Sequence, residues 1–251
     1  MRLKRLDTPH GRVYLHKKGK EVRFLPSVTT ILGSIGSKHL EKLEAELGKE
    51  KLQEIGQRAA GRGTVMHRFL ENYFICYQRT ANRDTCLLYT QKKTPLELAS
   101  QHDEKQISVG RQLFYNLWNH LDNIHEVVQT EKFLASLEHG YAGTTDMIYV
   151  NVLDMLIVCD FKSASGIREQ EQLDKYLMQV AAYVIAYEEE TGKKIDAGEV
   201  LISYGDDVQV AILDKDNIED YKNRFIEAAN KYHSQWDVEP IRQYYLENIQ
   251  N

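Results

Sequence analysis

Hydrophobic and polar positions alternate at the start of the chain. The segment "GRVYLHKKGKEVRFLP", residues 11–26, alternates on both sides of Lys18-Gly19-Lys20, which predicts a basic β-hairpin with its turn at these three residues. In "PSVTTIL", Ser27 suits the N-cap of a short helix, because its hydroxyl can accept a hydrogen bond from a free backbone N–H of the first turn.

Two helices with different compositions are predicted next. Residues 38–60 are strongly charged with a helical pattern, and Gly61 and Gly63 are expected to end that helix. The segment "TVMHRFLENYFICY" after them keeps its apolar side chains at a period of about 3.6 residues and therefore predicts a second helix. Residues 78–102, with Pro95 inside them, are expected to form a loop.

The second half of the chain changes between helical and strand periods. The pattern predicts an amphipathic helix, three strands, a long helix, a hairpin across Gly205-Asp206, another helix and a C-terminal segment after Pro240. We therefore expect an α/β fold, in which a central, mainly antiparallel or mixed sheet is flanked by helices, with the basic hairpin and a helical lobe at the N-terminus. The expected bounds of these elements are, in chain order, 104–123, 126–134, 141–150, 155–162, 168–190, 199–204, 207–213 and 215–235.

Length and composition are those of a globular protein. The 251 residues suit a single domain with a sizeable core, and 42% of them are hydrophobic and 27% charged. We divide the expected domain into the hairpin and helical lobe (1–60), a core (61–213) and C-terminal helices (214–251). The longest apolar run has eight residues, which is too short to span a membrane.

The cysteines and the N-terminal pattern narrow the class of protein. Cys76, Cys86 and Cys159 have no C-x-x-C spacing, which argues against a zinc ribbon, a disulfide framework or an iron–sulfur cluster and favours a reducing compartment. The first residues have neither the apolar stretch of a signal peptide nor the composition of a transit peptide.

Charge is unevenly distributed along the chain. The total is −5, but residues 1–23 contain eight lysines and arginines against two acidic residues, a local charge of +6 that leaves −11 for the remainder. Such a basic arm is either a solvated hairpin or a surface that binds phosphates. Its basic residues are Arg2, Lys4, Arg5, Arg12, Lys17, Lys18, Lys20 and Arg23.

The strands at 141–150 and 155–162 carry the first candidate chemistry. Pairing them across a short turn near Leu153 places Asp146 opposite Asp160, with Lys162 on the same face. Opposed carboxylates repel, so such a pair needs a cation between them or a raised pKa on one of them, and oxygen ligands favour Mg²⁺ or Mn²⁺. The alternatives are an ordinary ion pair at a strand end or a register shifted by one residue.

Two helices supply further candidates. His67 lies one turn after Gly63 and is either a metal ligand or a surface partner of Glu71, four residues on. Gln179 and Tyr183 share one helical face, where they either position a phosphate or the nearby lysine, or form part of the core and surface.

Three more charged residues lie near these motifs in the sequence. Arg58 and Arg62 flank the glycines before His67 and either grip phosphates or solvate a helix. Glu131, on the strand before the predicted hairpin, is a candidate for an outer-shell contact with the site.

Taken together, these motifs resemble those of the PD-(D/E)XK nuclease superfamily. The pattern Gly63-x-x-x-His67, Gly143-x-x-Asp146, Asp160-Phe161-Lys162 and Gln179-x-x-x-Tyr183 is similar to the RecB-like branch. The segments "PSVTTIL" and "GRGTVMHRFLE" most resemble mitochondrial genome-maintenance exonucleases and their bacteriophage relatives. The four motifs span residues 63–183, about half the chain, and lack the cysteines that hold an iron–sulfur cluster in some members.

The resemblance implies a restriction-endonuclease-like core and a role for each matched residue. His67, Asp146, Asp160 and the carbonyl of Phe161 would ligate Mg²⁺ or Mn²⁺. Lys162 would hold or activate the attacking water and offset the charge that develops on the phosphate. The same resemblance implies that Gln179 and Tyr183 support the catalytic site and touch the DNA backbone. It makes Ser27, Thr29 and Thr30, together with Arg58, Arg62 and the basic arm, the candidates for holding the DNA.

The function implied is that of a metal-dependent DNA exonuclease that prefers single strands or free ends. An endonuclease of the same fold and a non-catalytic recombination or repair accessory protein remain alternatives. A zinc hydrolase that uses His67 and Glu71 would lack a third nitrogen or sulfur ligand at suitable spacing. The missing targeting pattern and the phage-like resemblance predict the cytoplasm of a bacterium or of a phage-infected cell, with no membrane partner.

Overall fold

The computed structural model of the chain describes residues 2–19, 21–36 and 38–249. Two sheets and eight α-helices account for most of these residues. The strands are β1 (Arg2–Thr8), β2 (Gly11–Lys18), β3 (Glu21–Pro26), β4 (Ile124–Ser136), β5 (Tyr141–Asn151), β6 (Leu156–Ser163), β7 (Ala197–Tyr204) and β8 (Asp207–Leu213). The helices are α1 (Val28–Gly33), α2 (Lys38–Leu47), α3 (Lys49–Thr80), α4 (Arg83–Leu98), α5 (Glu104–Asn116), α6 (Gln170–Thr191), α7 (Ile218–His233) and α8 (Glu239–Asn248).

The central sheet has five strands in the order β4-β5-β6-β7-β8. All neighbouring strands are antiparallel except β6 and β7, which run parallel because α6 carries the chain back between them. This arrangement confirms the predicted α/β class and the mixed central sheet flanked by helices.

Helices cover both faces of the central sheet. Side chains of β6 alternate between the two, so that Val158 packs in the core formed with α6 and α7, whereas Phe161 packs in the core formed with α3, α4 and α5. Asp160 is two residues after Val158 and therefore faces α6. The alternation of one strand thus directs a carboxylate, rather than an apolar side chain, toward that helix.

A second sheet, of strands β1-β2-β3, lies beside the start of β5. The predicted hairpin is present as β2 and β3, with Lys18 paired to Glu21, while Lys20 of the predicted turn lies outside the described residues. The strand β1 was not predicted, because residues 2–8 are too polar to show a clear apolar face. A bridge between Ser27 and Ala142 joins the end of this sheet to β5.

Two predictions in the first half of the chain were wrong. The glycines at 61 and 63 do not end a helix, since α3 continues through them, and the break comes instead at Gly48, whose φ is +80°. Gly63 serves a close approach, because a Cβ there would lie 3.1 Å from the Ser163 hydroxyl oxygen on β6.

Residues 78–102 were predicted to form a loop, but most of them form α4, with Pro95 inside it. The helix begins at an N-cap, where the Asn82 side chain accepts a hydrogen bond from the Thr85 N–H. Its buried stripe is spaced by four residues but includes two threonines, so it does not register as an apolar period. The buried stripe consists of Cys86, Thr90, Thr94 and Leu98.

The remaining elements agree with the predicted bounds to within a few residues. The predicted helix 104–123 divides into α5 and a 3₁₀ turn, Trp118–Asn123. The segment after Pro240 forms α8, which packs Ile241 against the N-terminal sheet.

One buried carboxyl generates a stability prediction. Glu199 on β7 accepts a 2.9 Å hydrogen bond from the Tyr149 hydroxyl, and enclosure by protein raises its pKa above the ordinary value. A carboxyl whose pKa is raised by folding favours the folded state while it is protonated, and loses that contribution as pH rises through the folded pKa. Glu199→Gln should therefore raise the melting temperature above wild type at pH 8 and leave it nearly unchanged near pH 4. An exposed substitution on β4, Glu126→Gln, serves as the control, and a difference that stays constant with pH would contradict the assignment.

Candidate active site

The predicted register of β5 and β6 is confirmed where they pair. Met147 lies opposite Cys159 and Ile148 opposite Val158, so that continuation of the pairing would bring Asp146 opposite Asp160. The ladder ends at that point. The Phe161 N–H donates to the Asp146 Oδ2 at 2.7 Å instead of to the β5 backbone. The two carboxylates therefore stand where the strands fork.

The helix α3 brings His67 to this fork. The His67 Nδ1 lies 3.6 Å from the Asp146 Oδ1, and about one-third of the imidazole is exposed. The helix α3 approaches β6 closely at Gly63, and His67 follows one turn later. This approach therefore positions His67 relative to β6.

Glu131 comes nearer to the site than the sequence predicted. Pairing of Thr130 with Met147 and of Lys132 with Thr145 places Glu131 opposite Asp146. Its backbone has a φ of +48°, an uncommon conformation for a residue with a side chain. One ligand atom from each of His67, Glu131 and Asp146 lies within 4.8 Å of the other two.

The carboxyl of Glu131 is accessible from the cleft but surrounded by protein and other acids. Desolvation, followed by repulsion from Asp146 and Glu71, raises its pKa to about 8. A side chain in such surroundings is stabilised by any cation that binds between it and Asp146.

Asp160 is the most buried charged group of the site, with 1% of its surface exposed. The Gln179 Nε2 donates to its Oδ1 at 3.0 Å and to the Tyr183 hydroxyl at 3.0 Å. The Lys162 ammonium contacts Asp160 Oδ2 as an ion pair, yet this oxygen has no well-directed hydrogen bond among the described residues. One lone-pair direction of a buried carboxylate is thus left for another partner.

The charges of this pair stabilise each other against burial. Desolvation raises the pKa of Asp160, an effect that the neighbouring ammonium of Lys162 opposes. Burial also disfavours the charge of Lys162, but the carboxylates of Asp160 and Asp146 outweigh it, and the pKa of Lys162 is raised.

The site lies in a cleft of about 540 Å³. Its walls include Arg5 and Arg12 from the N-terminal sheet, Arg68 from α3 and Thr29 from α1. A larger cavity of about 1040 Å³ lies elsewhere, between the loop after α1 and the helices α6 and α7, and its lining contains none of the candidate catalytic residues.

The predicted DNA-binding residues are placed in different environments. Ser27 and Thr29 both line the cleft. The Ser27 hydroxyl also hydrogen-bonds to the Thr30 hydroxyl and caps α1 by accepting from the Thr30 N–H. Within the described part of the chain, neither Arg58 nor Arg62 lines the cleft, and Arg58 pairs with Glu54 on the surface of α3.

Of the three arginines that line the cleft, the sequence analysis named Arg5 and Arg12 only as members of the basic arm and did not single out Arg68. Arg68 sits beside His67 in the helical pattern, and this adjacency was an available signal. The placement of Arg5 and Arg12 depends on where the N-terminal sheet packs, which no local pattern contains.

A family profile described as the PD-(D/E)XK nuclease superfamily matches residues 38–250. The chain belongs to this superfamily. A PD-(D/E)XK nuclease uses divalent metal ions to hydrolyse DNA, and the matched span contains the forked strands with Asp146, Asp160 and Lys162.

Two solved structures resemble this PD-(D/E)XK nuclease at low identity. A provisionally assigned exonuclease from Eubacterium rectale is 10% identical with a TM-score of 0.42, and the alignment covers 68% of each chain. The protein SSO0001 is 14% identical with a TM-score of 0.34, over 69% of this chain and 75% of the other. No significant match was found among curated proteins.

The donor set fits the divalent ion that the superfamily requires. The site offers an imidazole nitrogen of His67 and carboxylate oxygens of Glu131 and Asp146 within 4.8 Å of one another, and Asp160 lines the same cleft. Such ligands suit Mg²⁺ and Mn²⁺. In the described part of the chain, no helix has the length and apolar character needed to cross a membrane.

Gly143 generates a prediction about the geometry of the PD-(D/E)XK site. A Cβ at this position would lie 2.6 Å from a ring carbon of Tyr183 and 3.2 Å from Val28. Gly143→Ala should displace Tyr183 and weaken the Gln179 contact to Asp160, with a loss of about 1–3 kcal/mol of stability from overpacking. Gly166→Ala, which meets no atom within 4 Å, is the matched control. Denaturant unfolding and DNA cleavage measure both effects, and wild-type behaviour of Gly143→Ala would contradict the packing argument.

Proposed function

We propose that the chain is a Mg²⁺- or Mn²⁺-dependent DNA exonuclease of the RecB-like branch, which acts on single strands or free ends. The observation that carries this proposal is the forked pair of strands, where Asp146 and Asp160 meet beside Lys162 and His67. We expect residues 1–251 to work as one nuclease domain, because the N-terminal sheet and the core share the walls of one cleft.

The residues that would hold the metal are His67, Asp146 and Asp160, with Glu131 as a further carboxylate and the Phe161 carbonyl from the same strand as Asp160. A bound divalent ion supplies Lewis-acid polarisation of the phosphoryl oxygen and lowers the pKa of nearby water.

Lys162 would hold the attacking water and offset the negative charge that develops on the phosphate. Its raised pKa keeps the ammonium protonated, so it acts as a donor and as a positive charge. The Tyr176 ring lies 5.5 Å from the ammonium, and this contact helps to fix the direction of the lysine.

Gln179 and Tyr183 would position the buried carboxylate. Because the Gln179 amide donates to both Asp160 and Tyr183, it restricts Asp160 to one rotamer. Arg58 and Arg62 remain candidates for contacts with flanking DNA, since they precede His67 on the same helix.

The first prediction of this function concerns cleavage. Linear single-stranded DNA, labelled at either end, should shorten with Mg²⁺ or Mn²⁺ but not with EDTA, while a closed single-stranded circle stays intact. Lys162→Ala and Asp160→Asn should each lower the rate by about 100-fold or more, because each removes stabilisation of the transition state. Lys105→Ala is the matched control, since Asp103 and Lys105 have the same D-x-K spacing at the exposed start of α5.

Each other outcome of the cleavage assay has a definite meaning. Cleavage of the circle would replace the exonuclease by an endonuclease that uses the same site. Bound but uncleaved DNA under every metal condition would favour the accessory-protein alternative. A near wild-type rate in both Lys162→Ala and Asp160→Asn would remove the assignment of the site.

The second prediction concerns Glu131 as a ligand. Glu131→Gln should weaken Mn²⁺ binding by about tenfold or more, which is the usual scale when a group that supports a metal site is removed. Isothermal titration with Mn²⁺ in the absence of DNA measures this without relying on activity. Glu126→Gln on the same strand is the control, and equal Mn²⁺ affinity of the two variants would return Glu131 to an outer-shell role.

A further inference from the structure

The N-terminal sheet presents two chemically different faces. Successive side chains of a strand point to opposite sides, so Leu6, Val13 and Leu15 share the face that packs on Ile241. The other face carries Arg5 opposite Tyr14 and Asp7 opposite Arg12 in the pairing of β1 with β2. The strand pattern therefore gathers two arginines and one carboxylate on the face away from the apolar core.

This second face forms part of the cleft that contains the candidate active site. Arg5, Arg12 and Tyr14 line the same cavity as Asp146 and Lys162. Strands β4 and β5 of the central sheet hold the N-terminal sheet in position. The Tyr14 hydroxyl hydrogen-bonds to Thr144 Oγ1 of β5 at 2.8 Å, and the Tyr14 ring meets Phe133 of β4 edge to face. Tyr14 itself is buried, so the arginines stand on a rigid support.

Asp7 organises the two guanidinium groups. The Arg12 Nε donates to its Oδ1 at 2.9 Å and the Arg5 Nε to its Oδ2 at 3.0 Å. Both terminal nitrogens of Arg12 are without a hydrogen-bond partner among the described residues. The trio keeps a net positive charge and has N–H donors directed at no protein group.

We propose that Arg5 and Arg12 together bind a phosphate of the substrate strand, other than the scissile one, within the cleft that contains the candidate active site. The inference rests on the proposed nuclease function. Arg5 and Arg12 line the same cleft as Asp146 and Lys162, and the contact of Tyr14 with Thr144 ties their sheet to the strand that carries Asp146. Guanidinium groups bind phosphate oxygens in a fork geometry, and an ordered pair of them favours one phosphate position over its neighbours.

The test compares two charge-matched double variants of the full chain. Arg5→Gln/Arg12→Gln removes the proposed subsite but keeps an amide that can bond to Asp7. Lys4→Ala/Lys17→Ala removes the same charge from the opposite face of the same sheet, since Lys4 and Lys17 alternate with the cleft-facing positions. Affinity for a labelled single strand is measured by fluorescence anisotropy in EDTA, so that no cleavage interferes.

We expect Arg5→Gln/Arg12→Gln to bind at least about tenfold more weakly and to reduce the salt slope by about 0.7, the value for one phosphate of a single strand that the protein no longer neutralises. The lysine variant should remain close to wild type. Equal weakening in both variants would show a general charge effect and overturn the proposal, as would wild-type binding by the arginine variant. Because exposed ion pairs contribute little stability, the arginine variant should melt like wild type. If it does not, Arg5→Lys/Arg12→Lys keeps the charge but not the fork, so it should weaken binding with an unchanged salt slope, and wild-type affinity of this variant would overturn the proposal.

Substrate ends identify the source of the phosphate. Strands with a 5′-phosphate, a 5′-hydroxyl or a 3′-phosphate, and a closed circle, are titrated in parallel. Weakening confined to one phosphorylated end supports a terminal-phosphate subsite, and equal weakening on all strands supports an internal phosphodiester. Failure of the nuclease function is separate: it would appear as wild-type protein that never cleaves with Mg²⁺ or Mn²⁺, even if the arginine variant binds DNA less tightly.

Discussion

The burial of Asp160 is the constraint on which the rest of the site depends. A carboxylate with almost no exposure is unstable as an ion unless neighbours replace the water that burial removes. Lys162 supplies the opposite charge and Gln179 supplies a directed N–H, and both come from elements that the chain must hold close together. The crossover from β6 through α6 to the parallel strand β7 provides that arrangement. The connection that makes β6 and β7 parallel therefore also brings Gln179 of α6 to Asp160 of β6.

The strand fork extends this constraint to Asp146. In a continued ladder the Phe161 N–H would bond to backbone, but here it bonds to the Asp146 carboxylate. That bond satisfies the buried donor, fixes the carboxylate and separates the strands in a single step. The space opened by the separation is filled from two sides, by His67 on α3 and by Glu131 on β4. Glu131 has a left-handed backbone, with a φ of +48°, and the paired strands β4 and β5 on either side of it hold this uncommon conformation.

Much of this site was readable from the sequence because its main elements are local. The register of β5 and β6 follows from their short connection, and the spacing of Gln179 and Tyr183 follows from the helix. What the pattern missed depends on tertiary contact. The buried face of α4 contains two threonines, so its sequence does not show the apolar period of a helix. Gly63 permits close packing against Ser163 instead of ending a helix. The placement of Glu131 beside Asp146 required the register of β4, which contains two irregularities before Glu131.

The net charge of the molecule and the placement of its charges have opposite effects on DNA binding. A chain of net charge −5 repels DNA at long range, and a centre built from carboxylates adds to that repulsion. Attraction has to be local, in a cleft whose arginines come from three separate places in the sequence. Burial raises the pKa of Asp7, but the Arg12 and Arg5 side chains outweigh this effect and hold that pKa below its ordinary value. Asp7 therefore remains an anion, and its carboxylate orders the two arginines. Position within the cleft, rather than the total number of basic residues in the N-terminal arm, therefore decides which of them can meet a phosphate.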